Sequence, residues 1–310
     1  MHRLGEKGVN VGNGAFATRR RFLAVAGALP WLAGCGTPLP LAEPLGSAAG
    51  DDADNLLQQS ADAHGLAAYR SIADINVRYE GQWRPLIDRV QPVLVDKAYR
   101  GGSEERLLPK AGLVAQAYAG SAGPKQVLWR RPPGGDGGGG DIAVWFDGQR
   151  SADAQVLDAA ALVADAYGLF LLGPLWMVAR PHASRHAGRE RVDGRSCDVV
   201  DVWLRPGLGR TALDRLALCI DSSGLMRRVR FTLEGFDGTR GAVAQVDTFD
   251  HERRFGVTWP MRSYEEVVHP LRLPAHDWRI TGLDVDRGYG EDDVLGPALS
   301  GAAARPAAPL

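Results

Sequence analysis

Residues 153–178 read DAQVLDAAALVADAYGLFLLGPLWMV, and the fold turns on how that stretch is buried. From Ala159, Ala160 and Ala161 through Leu162 and Val163 to Leu169, Phe170, Leu171 and Leu172, the apolar residues lose any two-residue alternation and turn helical. A helix apolar on nearly all sides must be covered on nearly all sides. Gly173-Pro174 kinks or splits it ahead of Leu175, Trp176, Met177 and Val178, because proline removes a backbone donor and clashes with the preceding turn. Asp165 and that interruption argue against a membrane span. The cover must therefore come from the rest of the chain. Either the helix fills the concave side of a sheet as plain core, or it acts as a lid over an apolar cavity. In the second reading Leu169, Phe170, Leu172, Leu175 and Trp176 line that cavity, facing strand residues such as Phe231 and Leu233.

The sequence around this helix reads as strands. Ile75, Val77 and Tyr79 alternate with Asn76, Arg78 and Glu80, which puts the apolar side chains on one face. The same alternation recurs at Val200, Val202 and Leu204, at Leu216, Leu218 and Ile220, and at Val229, Phe231 and Leu233. Further strands are expected within 112–118, 126–130, 142–146, 242–249, 257–267 and 278–285. Asp147-Gly148, Asp193-Gly194, Ser223-Gly224 and Asp237-Gly238 supply turns between them. Sequential strands with one apolar face predict an antiparallel sheet, strongly curved or partly closed. A short helix is expected over Asp54 to His64, ended by Gly65.

The amino-terminal residues read as an address. Arg19, Arg20 and Arg21 precede an apolar run, Phe22 to Ala33, that ends in Leu32-Ala33-Gly34-Cys35. This resembles a twin-arginine export signal closed by a lipobox, which implies cleavage before Cys35 and a lipid on its thiol. The chain then divides into a signal peptide (1–34), a Pro-, Ala- and Gly-rich tether (35–53), one domain (54–295) and a disordered tail (296–310). Of 36 basic and 37 acidic residues, five and one precede Cys35, leaving a net charge of −5. That balance excludes a nucleic-acid footprint.

No catalytic constellation emerges. The run Gly134 to Gly140 lacks a following Gly-Lys-Ser/Thr and opens no helix, so it reads as a hairpin loop, not a phosphate cradle. His182 and His186 have the spacing of two ligands on a helical face, but Pro181 precedes them and no acidic or cysteine partner is near. Ser184, Ser222 and Ser223 sit in no nucleophile elbow. Neither a metal nor a cofactor is expected. Cys197 and Cys219 project from the same face if their strands pair across a loop 205–211. The register that sets them opposite each other also sets Leu204 opposite Ala212. A disulfide or two partly buried thiols are both open.

The order of these elements resembles bacterial outer-membrane lipoprotein-sorting proteins of the LolA/LolB type. The resemblance rests on the opening helix ending His64-Gly65 before strand Ile75 to Tyr79, and on the helical insertion ending Leu169-Phe170-Leu171-Leu172-Gly173-Pro174. It rests also on Leu218-Cys219-Ile220-Asp221-Ser222-Ser223-Gly224-Leu225 before Arg227-Arg228-Val229, and on Phe255-Gly256-Val257-Thr258-Trp259-Pro260. It implies an α+β fold: a curved, unclosed antiparallel β-barrel whose concave face is covered by helices and binds acyl chains. The expected protein is a non-enzymatic, lipid-anchored binding protein of the bacterial envelope, facing the periplasm, with a lipid or lipoprotein ligand. The alternative is a structural or accessory envelope lipoprotein whose core is filled by its own side chains. Gly36 stands where an inner-membrane retention signal has Asp, which favours the outer membrane.

Overall fold

The computed structural model describes Leu39 and residues 51–131, 139–180, 182–301 and 303–305, all within one compact unit, Thr37–Leu310. Arg19, Arg20 and Cys35 lie outside the described residues, as does most of the glycine run.

Helices α1 (Asp51–His64) and α2 (Leu66–Ser71) lead into β1 (Ile75–Trp83). Two short helices follow, α3 (Pro85–Val90) and α4 (Pro92–Val95), and then β2 (Gly102–Leu108), β3 (Leu113–Gly120), β4 (Gly123–Arg130), β5 (Asp141–Phe146) and β6 (Gln149–Arg150). Next come α5 (Ala154–Leu172) and α6 (Pro174–Met177). The second half is all strand: β7 (His182–Val192), β8 (Arg195–Leu204), β9 (Asp214–Asp221), β10 (Met226–Thr232), β11 (Val243–Arg254), β12 (Val257–His269) and β13 (Leu273–Val285). These strands make one antiparallel sheet in the order β6-β5-β4-β3-β2-β1-β13-β12-β11-β10-β9-β8-β7. The first half winds outward from β1 to the edge at β6. After α5 and α6, the second half starts at the opposite edge, β7, and winds back until β13 pairs with β1, Ile75 opposite Val285. With β6 and β7 left as edges, the barrel is unclosed.

Alternation fixes which face is buried. Ile75, Val77 and Tyr79 are buried while Arg78 and Glu80 are exposed, and the apolar sets of β8, β9 and β10 join the same core. Helix α5 fills that concave face, and every residue from Ala159 to Leu172 is buried. The Asp153 side chain starts the helix by accepting from the backbone N–H groups of Gln155 and Val156. In length and composition α5 would suit a membrane span, but here the sheet covers it. Helix α1 buries Ala53, Leu57 and Ala61, spaced four apart. Gly65 ends it at φ 98°, where a Cβ would stand 2.2 Å from the Gly256 carbonyl oxygen, so only glycine fits.

Several expectations are corrected. Helix α1 begins at Asp51, three residues before the expected domain boundary at 54. The tail is not wholly disordered: Leu283 N–H donates to the Arg305 carbonyl at 3.1 Å, Arg305 N–H donates to Asp284, and Ala304 is buried. His182 and His186 lie on strand β7, not a helix; His182 contacts the Arg180 carbonyl and His186 contacts Asp198.

The cysteines are both buried and unbonded. The strands pair two residues away from the expected register, with Cys219 opposite Val199, Cys197 opposite Asp221 and Leu204 opposite Asp214. The cause is the connecting loop, which runs through residue 213. Asp214 caps it by accepting from Leu208 N–H at 2.7 Å, and Asp165 of α5 accepts from Gly209 N–H at 2.9 Å. Pinned at both points, the loop absorbs Ala212 and Leu213 and shifts the ladder. Both thiols do face the same side, in a small convex-face cluster with Val192, Val199, Ala217 and Leu39.

Candidate ligand cavity

A cavity of about 380 Å³ lies between α5, the α3–α4 pair and the ends of the last strands. Helix α5 contributes Leu162, Val163, Ala166, Tyr167 and Phe170, one stripe at helical spacing. Ile87, Val90 and Leu94 face it from α3 and α4. Each of these short helices begins with proline, whose fixed φ suits a first helical position and whose missing N–H has no partner to lose there. Phe231 and Leu233 close one wall and Val267, Leu273 and Ala275 another. Val90 lines the cavity and is 49% exposed, which puts the mouth at α3.

Phe170, Phe231 and Leu233 are therefore at the cavity, with the two phenyl rings 5.4 Å apart. Leu169, Leu172, Leu175 and Trp176 are not: all four are core residues on other faces of α5 and α6. Trp176 is turned away by charge. The guanidinium carbons of Arg180 and Arg131 stand 3.9 and 5.0 Å from its ring, and both arginines are drawn to Asp165. Cations favour the face of an aromatic ring, and burial strengthens the attraction.

The α3–α4 pair, Glu265 and Arg100 were not singled out from sequence. Glu265 lines the cavity from β12, and burial lifts its carboxyl pKa to about 7 against the opposing pull of Arg100. At one end the wall formed by Trp83 and Tyr167 also bounds a second chamber of about 20 Å³, whose other walls include Arg100, Tyr118 and His276. His276 stacks between Trp83 and Trp278, with centroids 4.2 and 4.7 Å away. Its Nδ1 lies 3.3 Å from the Tyr167 hydroxyl. Burial, then the charge of Arg100, pushes its pKa well down, so the ring is neutral. Gly81 lets β1 approach there, since a Cβ would stand 2.6 Å from Trp278 Cβ and 2.8 Å from His276 Nε2.

Arg100 Nη2 donates to the Leu94 carbonyl of α4 at 3.2 Å, while Nε and Nη1 are buried without a hydrogen-bond partner. The Tyr118 hydroxyl is likewise buried and unpartnered, with its ring 4.8 Å from the guanidinium carbon. Burial opposes the charge on Arg100, yet Tyr118, Tyr167 and Asp96 outweigh it and hold the group cationic. Among the described residues, no group of three or more His, Cys, Asp or Glu side chains is placed to hold a metal ion.

No family model matches the chain, and no curated protein matches it in sequence. Among solved structures, a DUF1329 family protein from Desulfovibrio piger superposes with a TM-score of 0.52 at 12% identity, covering 81% of this chain and all of that one (100%). The two share a fold. Weaker likenesses are a putative outer membrane lipoprotein-sorting protein domain from Vibrio parahaemolyticus (TM-score 0.42, 11% identity, 78% of this chain and 97% of that one) and a LolA superfamily protein from Nitrosomonas europaea (TM-score 0.42, 10% identity, 78% and 96%).

Proposed function

We propose that this chain is a binding protein of the bacterial envelope, anchored to the outer membrane by a lipid on Cys35, that faces the periplasm and holds an acyl chain or an acylated partner. It is not an enzyme in this reading. The supporting observation is the cavity of about 380 Å³ between α5, the α3–α4 pair and the sheet. Ligand sites typically occupy roughly 300 to 1,000 Å³, so the cavity suits a single chain. Burying each methylene there contributes about 0.8 kcal/mol, which makes an apolar chain a sufficient ligand without catalytic chemistry.

The test is native mass spectrometry of the protein extracted from its own membrane, beside an Ala166→Phe variant. Ala166 lines the cavity from α5, and a phenyl group there fills the space a chain would occupy. The native protein is expected to carry a lipid-sized adduct that the variant loses while keeping its thermal midpoint within a few degrees. No adduct, and no uptake of a neutral acyl probe by either form, would leave a filled-core structural lipoprotein as the better reading.

A further inference from the structure

Arg131, Arg215 and Arg228 each reach a carboxylate, at Asp165, Asp201 and Asp247, and the buried Arg106 donates to Asn76 Oδ1 and to two backbone carbonyls. Arg100 has less: one bond, from Nη2 to the Leu94 carbonyl. Its Nε and Nη1 are buried with no acceptor at full hydrogen-bond geometry, the Tyr167 hydroxyl being a looser partner, beside a Tyr118 hydroxyl that is also unpartnered. Leaving a buried donor unmatched is costly, more so for a charged group. Arg100 and Tyr118 line the polar chamber that shares Trp83 and Tyr167 with the apolar cavity.

Resting on the acyl-binding reading above, we infer that the missing acceptor is the ligand's own head group. The cavity takes a free fatty acid, whose tail lies against Phe170, Phe231 and Leu233 and whose carboxylate enters the polar chamber to accept hydrogen bonds from Arg100 and Tyr118. The chamber, at about 20 Å³, has room for about one atom the size of a water oxygen, so it can take one carboxylate oxygen and not a phosphodiester head group. A guanidinium is well matched to carboxylate oxygens. Glu265 sets the condition for entry. An ionised carboxylate on the cavity wall would repel an acid head group, and with its pKa near 7 Glu265 is mostly protonated at pH 6.

The experiment uses the full chain with Cys35 unmodified, titrated at pH 6 with palmitate, methyl palmitate and hexadecyltrimethylammonium. Palmitate is expected to bind at least about tenfold more tightly than its ester, a difference of ~1.4 kcal/mol. Arg100→Gln should bring the two to within about twofold by weakening palmitate alone. Tyr118→Phe, which keeps the ring beside the guanidinium, should weaken palmitate several-fold and leave the ester unchanged. Equal affinity of the native chain for acid and ester overturns the head-group assignment while leaving acyl binding in place, and that comparison needs no variant to fold. Tightest binding of the ammonium amphiphile also overturns it, assigning the polar contact to Glu265. Failure of all three to bind overturns the head-group site and the acyl-binding reading together.

Discussion

Arg131 Nε donates to Asp165 Oδ1 at 2.5 Å, tying the residue after β4 to the middle of the core helix. The second oxygen of Asp165 accepts from Gly209 N–H and lies 3.9 Å from Arg180 Nη1. One carboxylate, 1% exposed, thus holds two guanidiniums and a loop. Removing one partner of a buried ion pair leaves the other charge uncompensated. Asp165→Ala should cost about 3 to 5 kcal/mol in urea unfolding, and Asp165→Asn, which keeps a hydrogen-bond acceptor, less. An alanine variant within about 1 kcal/mol of the native protein would show that the cluster is solvated rather than structural.

Anchoring is tested by fractionation. Cys35→Ser should leave the protein in the soluble fraction or unprocessed if Cys35 is, as proposed, the acyl acceptor that the Leu32-Ala33-Gly34 segment sets up. Arg19→Lys with Arg20→Lys should retain precursor in the cytoplasm, because an ammonium does not reproduce the planar guanidinium. Unchanged membrane partitioning of the serine variant refutes the lipid anchor. Unchanged export of the lysine variant refutes the twin-arginine route.

The pH dependence of stability should carry opposed contributions, from buried carboxyls such as Glu265 and buried imidazoles such as His64. Burial raises Glu265 from 4.5 to about 7, so its contribution is fully present below pH 4.5 and is lost as the pH rises through 7. Burial lowers His64 from 6.5 to about 4; its contribution is present above pH 6.5 and is lost as the pH falls toward 4. Its Nε2 accepts from Met226 N–H at 3.1 Å, a bond that protonation would break. Unfolding free energies measured from pH 4 to 8 should fall more steeply between about pH 4.5 and 7 for the native protein than for Glu265→Gln, by on the order of 2 to 3 kcal/mol over that window. Parallel curves across that window would show that Glu265 is solvated in the cavity.

Much of the architecture was legible because the strands obey a simple rule: one face apolar, one face polar, as at Ile75 to Tyr79 and Val229 to Leu233. Strands that break the rule were invisible. In β2, Glu105 and Arg106 are buried, Glu105 hydrogen-bonded to Gln116 and Arg106 to Asn76, so its polar letters concealed a buried strand. Strand β7 lies at the sheet's edge, and its residues Arg185, His186, Arg189, Glu190 and Arg191 gave no apolar face to count. The apolar character of α5 announced a covered helix but not which stripe would face a cavity. That choice was made by Asp165, which fixes the rotation of α5 through Arg131, Arg180 and Gly209. Arg100 carried no local signal, since its environment is assembled from Trp83, Tyr118, Tyr167 and His276, far apart in sequence.

The pairing of Ile75 with Val285 has a consequence for synthesis. Each half of the sheet can zip up between neighbours in sequence, but the seam that joins them waits for the last strand to be made. Until then β1 presents an open row of backbone donors and acceptors to whatever strand is near, and pairing so remote in sequence is slow to form. A chain threaded through a membrane in extended form would have to make that closure on the far side, unaided and exposed. One carried across already folded closes it before departure, and the proposed twin-arginine signal at Arg19 and Arg20 would put this chain on the second itinerary.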